Sequence, residues 1–230
     1  MNKPEKTLIL FPEDPTTSFL EEIFKFLIDE VPQSKFDLIR IAPLSEAHNQ
    51  ALKETLKPTY KTVAFIGHGT NNMLFGARSK GYENKAFITA KEFSVFKGKK
   101  LVLISCDSGS LLKKNRQSGF LDCIGFGDLP TDWSDIQSAR EVEANSYKGF
   151  TQENMELFKG NLVEVFKYSF ADFLKNDLSI KELYTLIELR INKRLAKYYL
   201  ENRGAMPLTP LNDCLLRMKS ETIYLNSSSI

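Results

Sequence analysis

Short apolar segments that alternate with helical segments constrain the fold of this chain more than any other feature. Four of them are predicted as strands: KTLILF (6–11), FDLIRIA (36–42), TVAFIG (62–67) and KKLVLIS (99–105). A fifth strand is predicted within GFLDCIGFG (119–127). Strands that are apolar almost throughout are typical of a parallel sheet covered on both faces. The alternation therefore predicts an α/β fold in three layers, with a mostly parallel sheet and helices on both faces.

Three capping-box patterns, in which Ser or Thr precedes Glu by three residues, predict the starts of helices. They begin at Ser18, Thr89 and Ser179. Apolar residues at helical spacing extend these predictions along the chain. The longer predicted helices span 44–57, 161–175 and 179–203.

The end of the chain is predicted to close the sheet. SETIYL (220–225) is expected as an edge strand, and the polar residues 227–230 are expected to be a frayed tail. No internal repeat, low-complexity linker or shift in composition divides the sequence. Residues 1–230 are therefore expected to form a single domain.

Charge and cysteine content narrow the class of protein. The 31 basic and 29 acidic residues leave a net charge of +2, which predicts no direct nucleic-acid partner and no membrane partner. No charge-free apolar run reaches the roughly 18 residues of a membrane span, and the first apolar segment is too short for a signal peptide. Three cysteines are an odd number, so we expect free thiols and a cytoplasmic location rather than a disulfide framework.

Two predicted strands end in side chains with reactive chemistry. The third strand runs into Gly67-His68-Gly69, and the fourth ends in Ser105-Cys106. In an open parallel sheet, ligands bind at the edge formed by the carboxyl ends of the strands. If these two strands are neighbours, His68 and Cys106 emerge at the same edge.

A histidine near a thiol is the arrangement that nucleophilic catalysis by cysteine requires. The thiolate is the nucleophile, so a nearby imidazole must accept the proton of the thiol or stabilise the anion. The backbone N–H groups of Gly69 and Cys106 are candidates for an oxyanion hole, which binds the oxygen of an attacked carbonyl. A lone cysteine is more often a packing residue. The joint placement of His68 and Cys106 at two strand ends favours a catalytic dyad.

Other sites built on cysteine or on glycine-rich loops do not match the sequence. A phosphatase loop requires Arg six positions after the cysteine, where this chain has Leu112. No Cys-x-x-Cys pair, Walker-type phosphate loop or complete Gly-x-Gly-x-x-Gly is present. The cysteines and histidines lack metal-ligand spacing, and the order His then Cys opposes an α/β-hydrolase. These residues therefore predict no metal site, no nucleoside triphosphate site and no dinucleotide site.

The segments VAFIGHGTNN, ITAKEF and KKLVLISCDSG resemble the CHAT domains of the caspase-like (clan CD) cysteine peptidases. In that clan an apolar strand ends in His-Gly, and a later apolar strand ends in Ala/Ser-Cys. In CHAT domains the cysteine is commonly followed by an acidic residue, then Thr or Ser, then Gly, as in Asp107-Ser108-Gly109. The similarity covers residues 60–226, and the preceding residues match only in topology. The Gln-Ala-Cys-Arg-Gly pentapeptide of the caspases proper is absent.

The resemblance implies a cysteine endopeptidase with a caspase-like fold and no cofactor. Cys106 would be the nucleophile, His68 the general base or the imidazolium partner of the thiolate, and Gly69 an oxyanion-hole donor. Many relatives bind a polar or charged side chain just before the scissile bond, and acidic residues near the nucleophile would suit Lys or Arg. The candidate substrate-binding residues are Asp107, Asp128, Asp132 and Asp135.

The resemblance also implies a role in regulated bacterial defence, such as antiviral defence, or in programmed cell death. Relatives are often fused to sensor modules, and this chain is expected to lack one. We therefore expect a specific protein substrate and a separate sensor or regulatory protein. Two alternatives stay open: a catalytically silent caspase-like interaction module, and a small-molecule thiol hydrolase that uses the same dyad.

The remaining features are predicted to be structural or regulatory. His48 lies in a polar helix and is expected to be exposed, Cys123 is expected in the core, and Cys214 is expected to be inert. Residues 70–88 are the candidate for a mobile gate. A basic stretch on the last long helix predicts a solvated face or a docking surface for an acidic protein: Arg190, Lys193, Arg194, Lys197 and Arg203.

Overall fold

A six-stranded sheet forms the centre of the fold. The computed structural model describes residues 6–82, 85–201 and 210–226. Strands β4 and β5 form a separate antiparallel pair, and the other six form one sheet in the order β2-β1-β3-β6-β7-β8. The strands, numbered in chain order, are β1 (Lys6–Pro12), β2 (Phe36–Ile41), β3 (Tyr60–Ile66), β4 (Met73–Phe75), β5 (Ala86–Thr89), β6 (Lys100–Ile104), β7 (Cys123–Gly125) and β8 (Ile223–Leu225).

The central sheet is parallel except at one edge, where β8 runs antiparallel to β7. Successive side chains of a strand point to opposite faces of the sheet. In β1, Ile9 and Phe11 enter one buried cluster, whereas Leu8 and Leu10 enter another. Both faces are therefore covered, and the predicted three-layer α/β architecture is confirmed.

Helices cover the two faces unequally. The helices are α1 (Glu21–Glu30), α2 (Ser45–Leu56), α3 (Ser108–Lys114), α4 (Trp133–Val142), α5 (Gln152–Lys175), α6 (Ile180–Glu201) and α7 (Pro210–Glu221). Apolar residues of α1, α5, α6 and α7 pack on one face of the sheet. The other face is covered by α2, α3 and a 3-10 helix at Ala90–Phe96.

Two of the three predicted capping boxes are present, at Thr89 and at Ser179. The prediction at Ser18 is wrong. Ser18 lies inside a 3-10 helix (Pro15–Leu20), and its hydroxyl donates to the carbonyl oxygen of Pro15 at 2.8 Å. The fixed φ of Pro15 starts the helical turn earlier than the capping pattern predicts, so Asp14 caps it instead.

Several predicted boundaries differ from those observed. The strand predicted over 119–127 is reduced to β7, and α5 begins at Gln152 rather than at 161 because Thr151 caps it. The predicted frayed tail 227–230 and the end of the predicted helix 179–203 lie outside the described residues. Across 6–82, 85–201 and 210–226, no helix is long and apolar enough to span a membrane.

Candidate active site

A cleft of about 360 Å³ lies at the carboxyl edge of the central sheet. It is lined by His68, Gly69 and Cys106, the residues predicted for the dyad and the oxyanion hole. Of the four acids predicted to bind substrate, Asp128, Asp132 and Asp135 line the cleft and Asp107 does not.

Strands β3 and β6 are direct neighbours, and their register brings His68 and Cys106 out of the sheet at the same level. Ile66 of β3 pairs with Ile104 of β6, and the Gly67 N–H donates to the carbonyl oxygen of Ile104 at 3.1 Å. His68 and Cys106 each follow their paired isoleucine by two residues. The sheet thus places both side chains in one cleft, as the strand-end pattern predicts.

The segment that follows β1 holds the imidazole of His68 through a hydrogen bond to Thr16. The Nε2 of His68 lies 2.7 Å from Oγ1 of Thr16, and that hydroxyl lies 2.7 Å from Oδ1 of Asp14. Because the carboxylate can only accept, Thr16 donates to Asp14 and accepts from His68. This assigns the proton of the neutral imidazole to Nε2 and leaves Nδ1 free to accept a proton.

Asp14 is a buried carboxylate that the sequence analysis missed. Its Oδ2 pairs with Nε of Arg78 at 2.9 Å and lies 3.7 Å from Nε2 of His68. Burial alone would raise the pKa of Asp14, but interactions with His68 and Thr16 outweigh burial and hold it well below the usual range. Asp14 is therefore a fixed negative charge behind His68. Its position directly after β1, a neighbour of β3 in the sheet, could have identified it.

The Cys106 thiol is engaged by the loop that follows β7. Its Sγ donates to the carbonyl oxygen of Leu129 at 3.0 Å and lies 3.4 Å from the Leu129 nitrogen. Burial raises the pKa of Cys106, and the charge of Asp128 raises it further. In this state Cys106 is a protonated thiol, so a reaction at sulfur requires a base to take its proton.

A strained turn connects Cys106 to α3. Asp107 has a φ of 52°, in the left-handed region that residues other than glycine rarely adopt. Ser108 secures the turn, since its hydroxyl donates to the Leu103 carbonyl oxygen at 2.7 Å and accepts the Phe126 N–H at 2.9 Å. Asp107 itself is exposed outside the cleft, which argues for a role in the turn rather than in binding.

Gly69 lies against the residue that precedes the thiol. A Cβ at Gly69 would lie 2.6 Å from Oγ of Ser105, so a side chain cannot be accommodated without displacement. The Ser105 hydroxyl is buried and has no hydrogen-bond partner among the described residues. The Ser105 side chain therefore packs directly against Gly69, and the Cys106 carbonyl oxygen would lie 3.3 Å from the same Cβ, so this position requires glycine.

The three cleft acids predicted to bind substrate are held in fixed positions. Asp132 and Asp135 form the capping box of α4, in which Asp132 accepts the Ser134 N–H and Asp135 accepts the Asp132 N–H. Asp128 accepts a hydrogen bond from the hydroxyl of Tyr147. Burial raises the pKa of Asp128, whereas hydrogen bonding to Ser134 lowers that of Asp132. Each carboxylate thus has a structural role beside any role in binding.

The predicted gate at 70–88 contains the pair β4 and β5 and is tied to the rest of the fold. The Ala77 N–H donates to Nε2 of His48 at 3.2 Å, and the Arg78 N–H donates to the Glu13 carbonyl oxygen at 2.8 Å. Residues 83 and 84 lie outside the described residues, and movement of the segment stays a prediction.

His48 is buried, so its predicted exposure is wrong. Its ring packs against Gly76, where a Cβ would lie 2.0 Å from Cε1, and its Nδ1 is 3.3 Å from the hydroxyl of Tyr82. Burial and the charge of Lys85 lower the pKa of His48. The helix pattern missed this contact because β4, β5 and the intervening loop cover α2. Cys123 is buried, as predicted for a core residue, and Cys214 is buried as well.

Cys106 is expected to react slowly with iodoacetamide at neutral pH. Because its pKa is raised, its thiolate fraction stays below that of a free cysteine, whose pKa is about 8.5, and the rate keeps rising above that pH. Asp128→Asn removes the largest electrostatic cause and should lower the pKa. Mass spectrometry of alkylation against pH measures both. A wild-type midpoint at or below that of free cysteine would contradict the observed thiol environment.

The described side chains form no cluster of metal ligands. Over 6–82, 85–201 and 210–226, no group of three or more His, Cys, Asp or Glu is placed to hold a metal ion.

Comparison with known proteins assigns the chain to no family. No family model and no curated protein matches the chain. Among solved structures, an imine reductase from Bacillus cereus is similar at 11% sequence identity, over 88% of this chain and 79% of the other, with a TM-score of 0.29. A TM-score this low carries no inference about fold or activity.

Proposed function

We propose that the chain is a caspase-like cysteine endopeptidase of CHAT type. The observation that carries the proposal is that His68 and Cys106, from adjacent parallel strands, line the same cleft. The resemblance of their flanking segments to CHAT domains supports it.

The side chains support a two-stage acyl transfer. Nδ1 of His68 takes the thiol proton as Cys106 Sγ bonds to the peptide carbonyl carbon, and the N–H groups of Gly69 and Cys106 bind the oxyanion. The C–N bond breaks, and the imidazolium protonates the leaving amine. Water, deprotonated by His68, then cleaves the thioester and releases the acid. Asp14 stabilises the imidazolium that forms in each stage.

The charge of the cleft favours a basic side chain in the substrate. Asp128, Asp132 and Asp135 line it, and the cation Arg78 is already paired with Asp14. Arg217 lies 4.0 Å from Asp128 and partly offsets its charge, so the remaining negative charge rests mainly on Asp132 and Asp135 and favours Lys or Arg over Asp or Glu. We therefore propose cleavage after a basic residue.

The contact between Cys106 and Leu129 supports a latent resting state. Substrate or a regulatory protein must separate Sγ from the Leu129 peptide before attack, which fits activation by a separate sensor protein in a cytoplasmic defence or cell-death pathway. The same contact, with the raised pKa of Cys106, favours the second candidate, a catalytically silent interaction module.

A peptidyl acyloxymethyl ketone with arginine next to the warhead separates these candidates. For a peptidase, wild type should be labelled at Cys106, and His68→Ala should slow labelling about 100-fold because general-base assistance is lost. Matched probes with aspartate or glutamine in place of arginine should react more slowly. The readout is the labelling rate by intact-mass spectrometry.

Two controls make the outcome decisive. Cys106→Ala should abolish labelling, since Cys123 and Cys214 are buried. Circular dichroism should show that His68→Ala keeps the wild-type fold. Equal labelling rates for wild type and folded His68→Ala would reject the peptidase and leave the interaction module.

A further inference from the structure

Positively charged side chains are concentrated in a groove between α5 and α6. The residues of this groove are distant in sequence from those of the cleft. The volume of the groove is about 580 Å³, larger than that of the cleft. Four cations of α6 line it at spacings of three and four residues, which places them on one helix face: Arg190, Lys193, Arg194 and Lys197. Tyr168 of α5 lines the groove opposite them.

The two arginines are held in place before any partner arrives. Arg194 Nη2 pairs with Glu164 Oε2 at 2.7 Å, and Arg190 pairs with Asp172. The Arg190 guanidinium also lies over the ring of Tyr168, 5.5 Å from its centroid. Its Nε is buried without a hydrogen-bond partner among the described residues. Held guanidiniums lose little side-chain entropy on binding an anion.

The two lysines of the groove are available to a partner. No described residue forms an ion pair or hydrogen bond with Lys193, and Lys197 has only a 3.8 Å contact with Glu201, itself exposed. Both lysine side chains are exposed. They add positive charge that Glu164 and Asp172 do not neutralise.

We propose that the α5–α6 groove is a docking site for an acidic segment of a partner protein, with Lys193 and Lys197 pairing with its carboxylates. The proposal does not depend on catalysis at Cys106, since no residue of the groove lines the cleft.

A protein segment fits the groove better than a phosphate polymer does. The carboxylates of Glu164 and Asp172 stand beside the arginines and would repel a densely charged phosphate backbone, whereas carboxylates spaced along a peptide can reach the lysines. The chain's net charge of +2 provides little long-range attraction for nucleic acid. Tyr168 offers a partly exposed ring for the apolar part of a peptide.

Fluorescence anisotropy with a fluorescein-labelled oligoglutamate peptide tests the site in the full chain at physiological salt. Wild type should bind this probe and not a matched oligoglutamine peptide. Lys193→Glu with Lys197→Glu should weaken binding about tenfold, because two attractive pairs become repulsive. The matched control is Lys53→Glu with Lys113→Glu, which makes the same charge change on exposed residues of α2 and α3 and should alter affinity less than about twofold.

Each contrary result overturns the proposal. The first is that wild type fails to bind oligoglutamate, and the second is that the two double variants weaken binding equally. The third contrary result is that wild type binds an oligothymidylate or phosphatidylserine vesicles more tightly than the peptide. Thermal melting shows that both double variants are folded. Labelling of Cys106 by the arginine probe tests the proposed peptidase site in a separate experiment. The docking proposal and the peptidase proposal can therefore fail independently of each other.

Discussion

Gly125→Ala is expected to destabilise the folded chain by about 3 kcal/mol, because the added methyl group has no space. Gly125 lies in β7, where a Cβ would be 2.8 Å from both the nitrogen and the Cα of Gly109 in α3. Side-chain rotation cannot relieve a contact with backbone, so α3 must move away from β7. Because α3 begins directly after the Cys106-Asp107 turn, labelling of Cys106 should fall as well.

Gly160→Ala is the matched control for this prediction. Gly160 lies in α5, and a Cβ there would have no heavy atom within 4 Å. Alanine has the higher helix propensity, so this variant should gain up to about 1 kcal/mol. Urea denaturation measures both free energies of unfolding. A Gly125→Ala midpoint equal to that of wild type would show that α3 and β7 are not in close contact.

Gly76→Ala is expected to cost about 2–3 kcal/mol through a clash with the buried His48 ring. A Cβ at Gly76 would lie 2.0 Å from Cε1 and 2.6 Å from Nε2 of His48. Removal of the ring should remove most of this penalty. In a His48→Ala background, Gly76→Ala should therefore cost less than about 1 kcal/mol, a coupling typical of residues in contact.

The double-mutant cycle is read by urea denaturation of all four proteins. The loop that the His48 contact supports also carries Arg78, which pairs with Asp14 behind His68. Gly76→Ala should therefore also slow labelling of Cys106, and the double variant should recover part of the rate. Additive free energies across the cycle would contradict the packing of His48 on Gly76.

The apolar strands are the part of the fold that the sequence predicts best. Burial on both faces leaves a nearly continuous apolar run, so β1, β3 and β6 are recognisable from composition alone. The short β7 is overpredicted because Phe120 and Phe126 near its ends are also apolar and buried, although they lie outside the strand.

The candidate site is predicted in part, for the same reason. His68 and Cys106 follow strands that are easily recognised, and strand adjacency brings them to one edge. Asp14 is missed because Asp-Pro after a strand is typical of an ordinary turn, and only the sheet order shows that β1 borders β3. The burial of His48 depends on a loop packing over α2, a long-range contact that local periodicity does not contain.

Helix α4 gives the cleft one wall that does not belong to the sheet. Ser134, Ser138 and Ala139, all small, present one face of this helix to the cleft. What the cleft admits can therefore diverge through substitutions on a single exposed helix, while the strand ends that carry sulfur and imidazole stay unchanged. For the proposed peptidase, substrate selectivity and reactivity would then be open to independent redesign.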